Sequence, residues 1–286
     1  MALFFQQILN GIMVGSVYSL VALGLTLIYG ILGIPNFAHG ALYMLGAYIT
    51  FLVVSSAGVN FWLAMIVAMV GLALVGMLVE RLVFRPLMEA PHLNSFIAAI
   101  GLIFIIENGA LILWGPDFKR FPPVYEQLYH IFGITITLQR IIIVLTAVGL
   151  IILMELFIKK TTIGATIEAT AQDRVGTQLV GINVNRVDLI TFALGTALAA
   201  AAGALIGPIL LVYPSMGGAV ILKAFVIIIL GGMGSIPGAI VGGFILGLLE
   251  SIGGGYVTTE YHEVLAFGVL VAVLAIKPTG LFGRAH

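Results

Sequence analysis

Long runs of apolar residues, separated by short polar segments, make up most of this chain. No ionised side chain precedes Glu80. A helix needs about 20 predominantly apolar residues to cross the hydrocarbon core of a bilayer. Apolar windows of this kind, some of them shorter, occur at residues 11–31, 37–55, 61–79, 95–114, 138–158, 189–207, 219–230, 238–250 and 264–276. We therefore predict an all-α protein, a polytopic transmembrane helix bundle of about 8–10 spans, with helices broken by Gly and Pro.

The composition supports a lipid environment for these helices. Of the 286 residues, 61% are hydrophobic and 8% are charged, whereas a soluble domain carries about 25% charged residues. A soluble globule of this size needs a polar surface, which so few polar side chains cannot supply. The alternating strands of a transmembrane β-barrel are absent from the sequence. No linker or low-complexity tract divides the chain, so we predict a single transmembrane domain, residues 1–286.

The positions of Lys and Arg predict the orientation, because short cytoplasmic loops are enriched in these residues. Cations follow the third, fifth and last apolar windows: Arg81 and Arg85, Lys159 and Lys160, and Lys277 and Arg284. If each window crosses once, these positions share the cytoplasmic side and the N-terminus lies outside. Lys119, Arg120 and Arg140 fall on the other side and weaken the pattern. The N-terminus has no cleavable signal sequence, so we expect it to be retained in the first span.

Several classes of function are excluded by missing motifs. The sequence has no phosphate-binding loop, no HExxH and no GxSxG, and it has no cysteine. Its five histidines lack the spacing of metal ligands. Net charge is zero, so no basic surface for nucleic acid is expected. We therefore expect no enzymatic activity, no metal and no cofactor in this chain, and an intramembrane enzyme is disfavoured.

A few polar residues within the apolar windows are candidates for a substrate pathway, because such groups are costly in lipid. Glu107 and Asn108 lie in the middle of the fourth window, and Asn36 and His39 follow Pro35 at a possible helix break. For Glu107 and Asn108, a hydrogen bond between helices is an equally good interpretation. Two further ionisable groups, Lys223 and Glu250, lie near window ends, where they can reach the interface or pair.

Two short segments resemble each other and suggest an internal repeat. LIYGILGIP (27–35) and ILGGMGSIP (229–237) both combine an apolar run with glycines and Ile-Pro, and each leads into a helix rich in small residues. Transporters often contain repeats whose broken helices meet inside the membrane. Ordinary Gly-Pro turns between spans explain the match as well. A GxxxG at residues 203–207 indicates close helix packing, within the subunit or at a subunit interface.

The polar segment 159–186 is longer than the connections of about 2–8 residues that usually join helices in a bundle. Residues 165–179 have the pattern of one short helix, and Gly181 is placed to end it. Its surface is neither basic nor aromatic, which disfavours binding to lipid. We interpret this segment as a cytoplasmic loop that docks onto another protein.

Four stretches together resemble the LivH-type permeases, the membrane subunits of bacterial ABC importers for branched-chain and related amino acids. They are LIYGILGIPNFAHGALYMLGAY (27–48), the loop with ATAQD (169–173) and GIN (181–183), LKAF (222–225) with GGMGSIPGA (231–239), and KPTGLFG (277–283). The resemblance extends from about residue 11 to residue 283. The stretches around Asn36–His39 and the 169–183 loop are specific to this group of permeases.

The resemblance implies that segment 159–186, hereafter the coupling segment, seats in a cleft of a cytoplasmic ATPase subunit. The residues it assigns to this contact are Thr162, Gly164, Glu168, Ala169, Ala171, Asp173, Gly181 and Asn183. Relatives carry basic residues soon after the glycine, where this chain has Ala165 and Glu168, so the charge of the contact differs here. The resemblance also implies a second, similar permease subunit, two ATPases that hold ATP and Mg²⁺, a periplasmic binding protein and the bacterial inner membrane.

Alternative functions remain open at the level of sequence. A related ABC permease for urea or short amides would have much the same pattern. A stand-alone secondary transporter would need ligands for a coupling ion near the membrane midplane, and Glu107 is the one strong candidate for such a ligand.

Overall fold

A computed structural model describes residues 2–256, apart from residues 123, 126, 132 and 133, and beyond them residues 267, 268, 271–273, 275, 277 and 279–283. The helices are α1 (Ala2–Leu32), α2 (His39–Ala57), α3 (Phe61–Val79), α4 (His92–Trp114), α5 (Leu138–Lys160), α6 (Thr162–Gln172), α7 (Arg174–Leu179), α8 (Val184–Ile206), α9 (Met216–Gly231) and α10 (Ile236–Tyr256). The strands β1 (Leu128–Ile131) and β2 (Ile134–Thr137) form an antiparallel hairpin, which the sequence pattern did not predict.

Seven of these helices are long and apolar enough to span a membrane, and α9 is a shorter apolar helix. This confirms the prediction of an all-α polytopic bundle. Eight of the nine apolar windows coincide with these helices, and the ninth, 264–276, lies largely outside the described residues.

Two helices begin earlier than predicted because polar residues in their first turns find partners. Helix α1 begins at Ala2 rather than residue 11, with Asn10 bonded to Arg140 of α5 and Gln7 bonded to Ser251 of α10. Helix α8 begins at Val184 rather than residue 189, because the carboxylate of Asp188 is paired within the protein. A hydropathy window excludes such residues, whereas the folded chain accommodates them by hydrogen bonding.

Helices α1 and α8 form the centre of the bundle. In its most apolar window α1 is 83% buried, whereas α4 is only 11% buried. Helix α1 packs against α8 where Gly24 and Gly195 approach each other, and antiparallel against α10 through glycines on both helices. Glycine allows this close approach, because a helix pair in lipid is held by van der Waals packing rather than by a hydrophobic driving force. The GxxxG pair also packs within the subunit, Gly203 on the backbone of Tyr43 and Gly207 on the ring of Phe121.

Helix α2 begins beside the interior of α1, not beside its end. The ring of His39, its first residue, lies 3.2 Å from the carbonyl oxygen of Val21. Helix α1 continues from Val21 to Leu32, about 16 Å at 1.5 Å per residue, before the chain turns back. Residues 33–38 therefore re-enter the bundle between two helices, which is the broken-helix arrangement that the Gly and Pro residues predicted.

The coupling segment contains two helices, so the prediction of one helix over 165–179 is wrong. Helix α6 ends at Gln172, and α7 starts at Arg174. The backbone of Asp173 between them is extended, and its carboxylate accepts a hydrogen bond from the Gly176 N–H at 2.9 Å. An Asp side chain that caps a new helix competes with continuation of the previous one, and here the cap prevails.

Candidate functional site

The coupling segment is shaped by local capping at each of its turns. The hydroxyl of Thr161 caps α6 by accepting a hydrogen bond from the Gly164 N–H at 3.0 Å. Gly164 itself is packed against the backbone of Ile158, where a Cβ atom would clash. Gly181 has a φ of 86°, which confirms its prediction as a helix stop, since glycine adopts this conformation without strain. Asn183 caps α8 through a bond from the Arg186 N–H.

Small and apolar side chains are exposed on this segment beside polar ones. Ala169 and Ala171 of α6 are exposed, and so are Val175, Leu179 and Val180 of α7 and its end, with Leu179 83% exposed. We call these five residues the coupling surface. Large apolar side chains outside the spanning helices mark sites of protein contact when they cluster. Of the other residues that sequence assigned to this contact, Thr162 and Glu168 are also exposed, whereas Gly164 is buried.

Two ion pairs with fully buried carboxylates lie between the coupling segment and the spans. Arg174 of α7 donates to the carboxylate of Asp188 in α8 through its two terminal guanidinium nitrogens, Nη1 and Nη2, at 3.1 and 2.6 Å. Arg85 binds Glu80 in the same bidentate way, at 2.9 and 2.8 Å. The side chains of Glu80 and Asp188 are 0% exposed. Sequence reasoning used Arg85 only for the orientation and assigned no role to Glu80, Arg174 or Asp188. An acid directly before a long apolar run was a visible signal for Asp188.

A third, largely buried ion pair links helices α1, α9 and α10. Lys223 of α9 donates to Glu250 of α10 at 3.0 Å and to the hydroxyl of Tyr18 in α1 at 2.9 Å. The Tyr18 hydroxyl also donates to Glu250 at 2.9 Å. Sequence left two interpretations open for Lys223 and Glu250, reaching the interface or pairing, and the structure shows that they pair with each other. The contribution of Tyr18 was not anticipated.

Asn36 and His39 are completely buried at the start of α2. The amide oxygen of Asn36 accepts a bond from the Ala38 N–H at 3.1 Å, while its amide nitrogen has no partner among the described residues. The ring of His39 lies against Gly24 of α1. Between them Phe37 stacks on Phe225 of α9, with ring centroids 4.3 Å apart. The two polar residues sit in the packed re-entrant segment, and their assignment to a substrate pathway stays a prediction.

Glu107 and Asn108 lie on α4, the least buried spanning helix. Asn108 is exposed and donates to the carbonyl oxygen of Phe104 in its own helix at 2.7 Å. Glu107 is half-buried, and none of the described residues forms a hydrogen bond or ion pair with it. Among the described residues, neither side chain forms a hydrogen bond to a neighbouring helix. Whether Glu107 and Asn108 line a substrate pathway stays a prediction.

We expect Glu107→Leu to lower transport without unfolding the protein, whereas Glu107→Gln, which keeps shape and polarity, has a mild effect. The reason is that the Glu107 carboxylate forms no hydrogen bond or ion pair with the described residues, so its removal costs little folding free energy. Transport rate and thermal stability are measured at equal expression. A loss of stability on the order of 1 kcal/mol for the Leu variant, or unchanged transport, contradicts a pathway role.

The two similar glycine-rich segments meet at one end of the bundle. Gly30 and Gly234 lie side by side, and Gly33 and Gly234 both have positive φ values. The KPTGLFG stretch covers this end, because the N–H groups of Leu281 and Phe282 donate to the last carbonyls of α9 at 2.8 and 2.9 Å. These carbonyls have no partner within their helix. The structure shows turns in both segments, and a repeat relationship stays a prediction.

Comparison with known proteins accounts for the stretches that sequence singled out. A family model described as "Branched-chain amino acid transport system / permease component" matches residues 7–274. The chain belongs to this family. It is a multi-pass membrane protein and a permease component of a transport system, and its relatives are named as permeases rather than enzymes.

Three relatives illustrate the breadth of the match. The chain is 35% identical to the high-affinity branched-chain amino acid transport system permease protein LivH of Escherichia coli, over 98% of this chain and 96% of that protein. It is also 35% identical to BraD of Pseudomonas aeruginosa, with the same coverage. It is 24% identical to LivM of Escherichia coli, over 93% of this chain and 67% of LivM. One organism thus has two different permease proteins of this system that are similar to this chain.

Proposed function

We propose that this chain is the membrane subunit of an ATP-driven importer for branched-chain or similar hydrophobic amino acids. In this proposal it forms half of the translocation pathway in the bacterial inner membrane. The other half is a second, similar permease subunit, as the likeness to both LivH and LivM suggests. Two cytoplasmic ATPases supply the hydrolysis of ATP with Mg²⁺, and a periplasmic binding protein delivers the substrate.

The observation that carries the proposal is the coupling surface. Five small or apolar side chains are presented outside the spans on two short helices that are capped and tied to the spans. The segment also exposes polar residues, as a solvated loop does, but a protein contact is what explains the exposed Val175, Leu179 and Val180. Alanines at 169 and 171 leave room for close approach of a partner.

The coupling surface is tested by Ala171→Trp. The alanine is exposed, so a large ring leaves the spans folded but prevents a close contact. We expect assembly with the ATPase subunits to fall by about tenfold or more, the range of a truncated or blocked hot spot, and transport to be lost with it. The measurement is copurification of ATPases together with substrate uptake in proteoliposomes.

A matched control for this variant is Ala57→Trp, an exposed alanine at the end of α2. We expect it to assemble with the ATPases as the unmodified protein does. If Ala171→Trp assembles, hydrolyses ATP and transports normally, segment 159–186 is an ordinary connection. Uptake by the purified chain alone would instead favour a secondary transporter, and uptake of urea in preference to leucine would favour the amide permeases.

A further inference from the structure

Four charged residues form one cluster at the end of the bundle that the distribution of Lys and Arg predicts to be cytoplasmic. Glu80 and Arg85 belong to the end of α3, where a π-helical turn (Glu80–Phe84) follows the helix. Arg174 starts α7, and Asp188 lies in the second turn of α8. We call Glu80, Arg85, Arg174 and Asp188 the charge cluster. The two ion pairs meet at the start of α8, because Arg85 of one pair contacts the first turn of this helix and Asp188 of the other lies in its second turn.

The cluster joins three elements rather than two. Arg85 also donates to the carbonyl oxygen of Asn185 in the first turn of α8, at 3.0 Å. Arg174 also contacts the sulfur of Met88, beyond the π-helical turn, at 3.4 Å. Arg85 therefore connects the chain just after α3 with the start of α8. Arg174 connects α7 with α8 and with Met88, which also follows α3. π-Helical turns of this kind often mark functional positions.

Burial makes stability a poor explanation for this arrangement. Removing two charges from water costs about as much as their attraction returns, so apolar residues of similar size are often equally stable in such places. A bidentate arginine–carboxylate pair differs from an apolar contact because it holds two groups in one relative orientation. In a chain with only 12 Lys and Arg and 12 Asp and Glu, two such pairs at one junction indicate a need for fixed geometry.

The charge cluster connects the helix that carries part of the coupling surface, α7, with α8 at the centre of the bundle. Arg174 is the first residue of the short helix whose exposed side includes Val175 and Leu179. Arg174 is bonded to α8, and α8 packs closely on α1, α2 and α3. Each of these contacts involves a glycine, such as Gly195 of α8 on Gly24 of α1 and Thr196 of α8 on Gly76 of α3. Interfaces this close move as rigid bodies rather than deforming gradually.

We infer that the charge cluster is the joint that transmits movement of the coupling surface to α8 and α3, with Arg174 and Asp188 as positioning residues. This inference rests on the proposed function. When an ATPase displaces α7, the two hydrogen bonds from Arg174 to Asp188 move the start of α8 with it. The hydrogen bond from Arg85 to Asn185 then moves the end of α3 together with α8. Without the joint, α7 still binds the ATPase but slides relative to α8.

The experiment replaces one pair by apolar residues, Arg174→Met with Asp188→Leu, in the complete complex in proteoliposomes. The quantity measured is the number of ATP molecules hydrolysed per substrate molecule imported. We expect assembly to be retained and this ratio to rise by about fivefold or more, the lower end of coupling between distinct sites. Arg174→Lys, which keeps the charge but loses the fork, is expected to give an intermediate ratio. The control Glu155→Gln breaks an exposed ion pair with Lys159 within α5 and is expected to leave the ratio unchanged.

The outcomes separate this inference from the proposed function. Hydrolysis and uptake that fall together, with an unchanged ratio, mean that the pair is only structural and overturn the inference. If the double variant does not assemble, the Arg174→Lys variant serves as the test. A ratio of ATP hydrolysed to substrate imported that equals the ratio of the unmodified complex then overturns the inference. If the unmodified chain forms no complex with an ATPase, the proposed function itself fails, independently of the cluster.

Discussion

Gly217→Ala is expected to destabilise the protein strongly, while Gly218→Ala, one residue further along α9, is expected to be tolerated. A Cβ atom on Gly217 would overlap the carbonyl oxygen of Gly40 in α2, and a Cβ atom on Gly40 would overlap the carbonyl oxygen of Gly217. Within the part of the chain that the structure describes, a Cβ placed on Gly218 meets no atom of another element within 4 Å. Both substitutions have the same intrinsic effect on helix formation, so their difference measures the contact alone.

Overpacking in a protein interior costs about 1–3 kcal/mol. We expect the cost for Gly217→Ala to reach the upper end of that range, because main-chain atoms cannot rotate out of the way. The measurements are the thermal unfolding midpoint and the monodisperse fraction of purified protein in detergent. Equal values for the two variants would show that α2 and α9 do not meet at these glycines.

Lys223→Met is expected to destabilise the protein by about 3–5 kcal/mol, the usual effect of leaving a buried charge without its partner. Glu250 is nearly buried, and one of its oxygens already lacks a hydrogen-bond partner among the described residues. After the substitution, the hydroxyl of Tyr18 is the one hydrogen-bond donor left to the carboxylate among the described residues. Adding Glu250→Leu removes the uncompensated charge, so we expect the double variant to recover most of the loss.

Thermal stability of the two single variants and the double variant gives a double-mutant cycle. Lys119→Met serves as a control, because Lys119 lies 4.0 Å from an exposed Asp117, and surface pairs contribute about 0–1 kcal/mol. If the double variant is as unstable as Lys223→Met alone, the loss of stability comes from altered packing and not from the unpaired charge of Glu250. A stable Lys223→Met variant would show that the buried pair contributes nothing.

Signals that act within a turn or two of the chain were readable from sequence. Hydropathy located the spanning helices, and Gly181 was recognised as a helix stop because its requirement for positive φ is local. The break at Asp173 is equally local, but it was missed because two structures compete there: continuation of α6 and a cap for α7. The polar length of segment 159–186 predicted a contact, whereas its exposed apolar residues were visible only in the structure.

Hydropathy and short motifs were enough to identify a multi-pass helical protein, a long polar segment between its spans, and the permease family that it resembles. Which charges pair and which glycines pack became known from the folded molecule, as Lys223 with Tyr18 and Gly217 rather than Gly218 show. The difference lies in the distance along the chain over which each effect acts. Hydropathy, capping and turn preferences are properties of neighbouring residues, whereas a buried ion pair or a backbone contact depends on how distant helices are placed against one another.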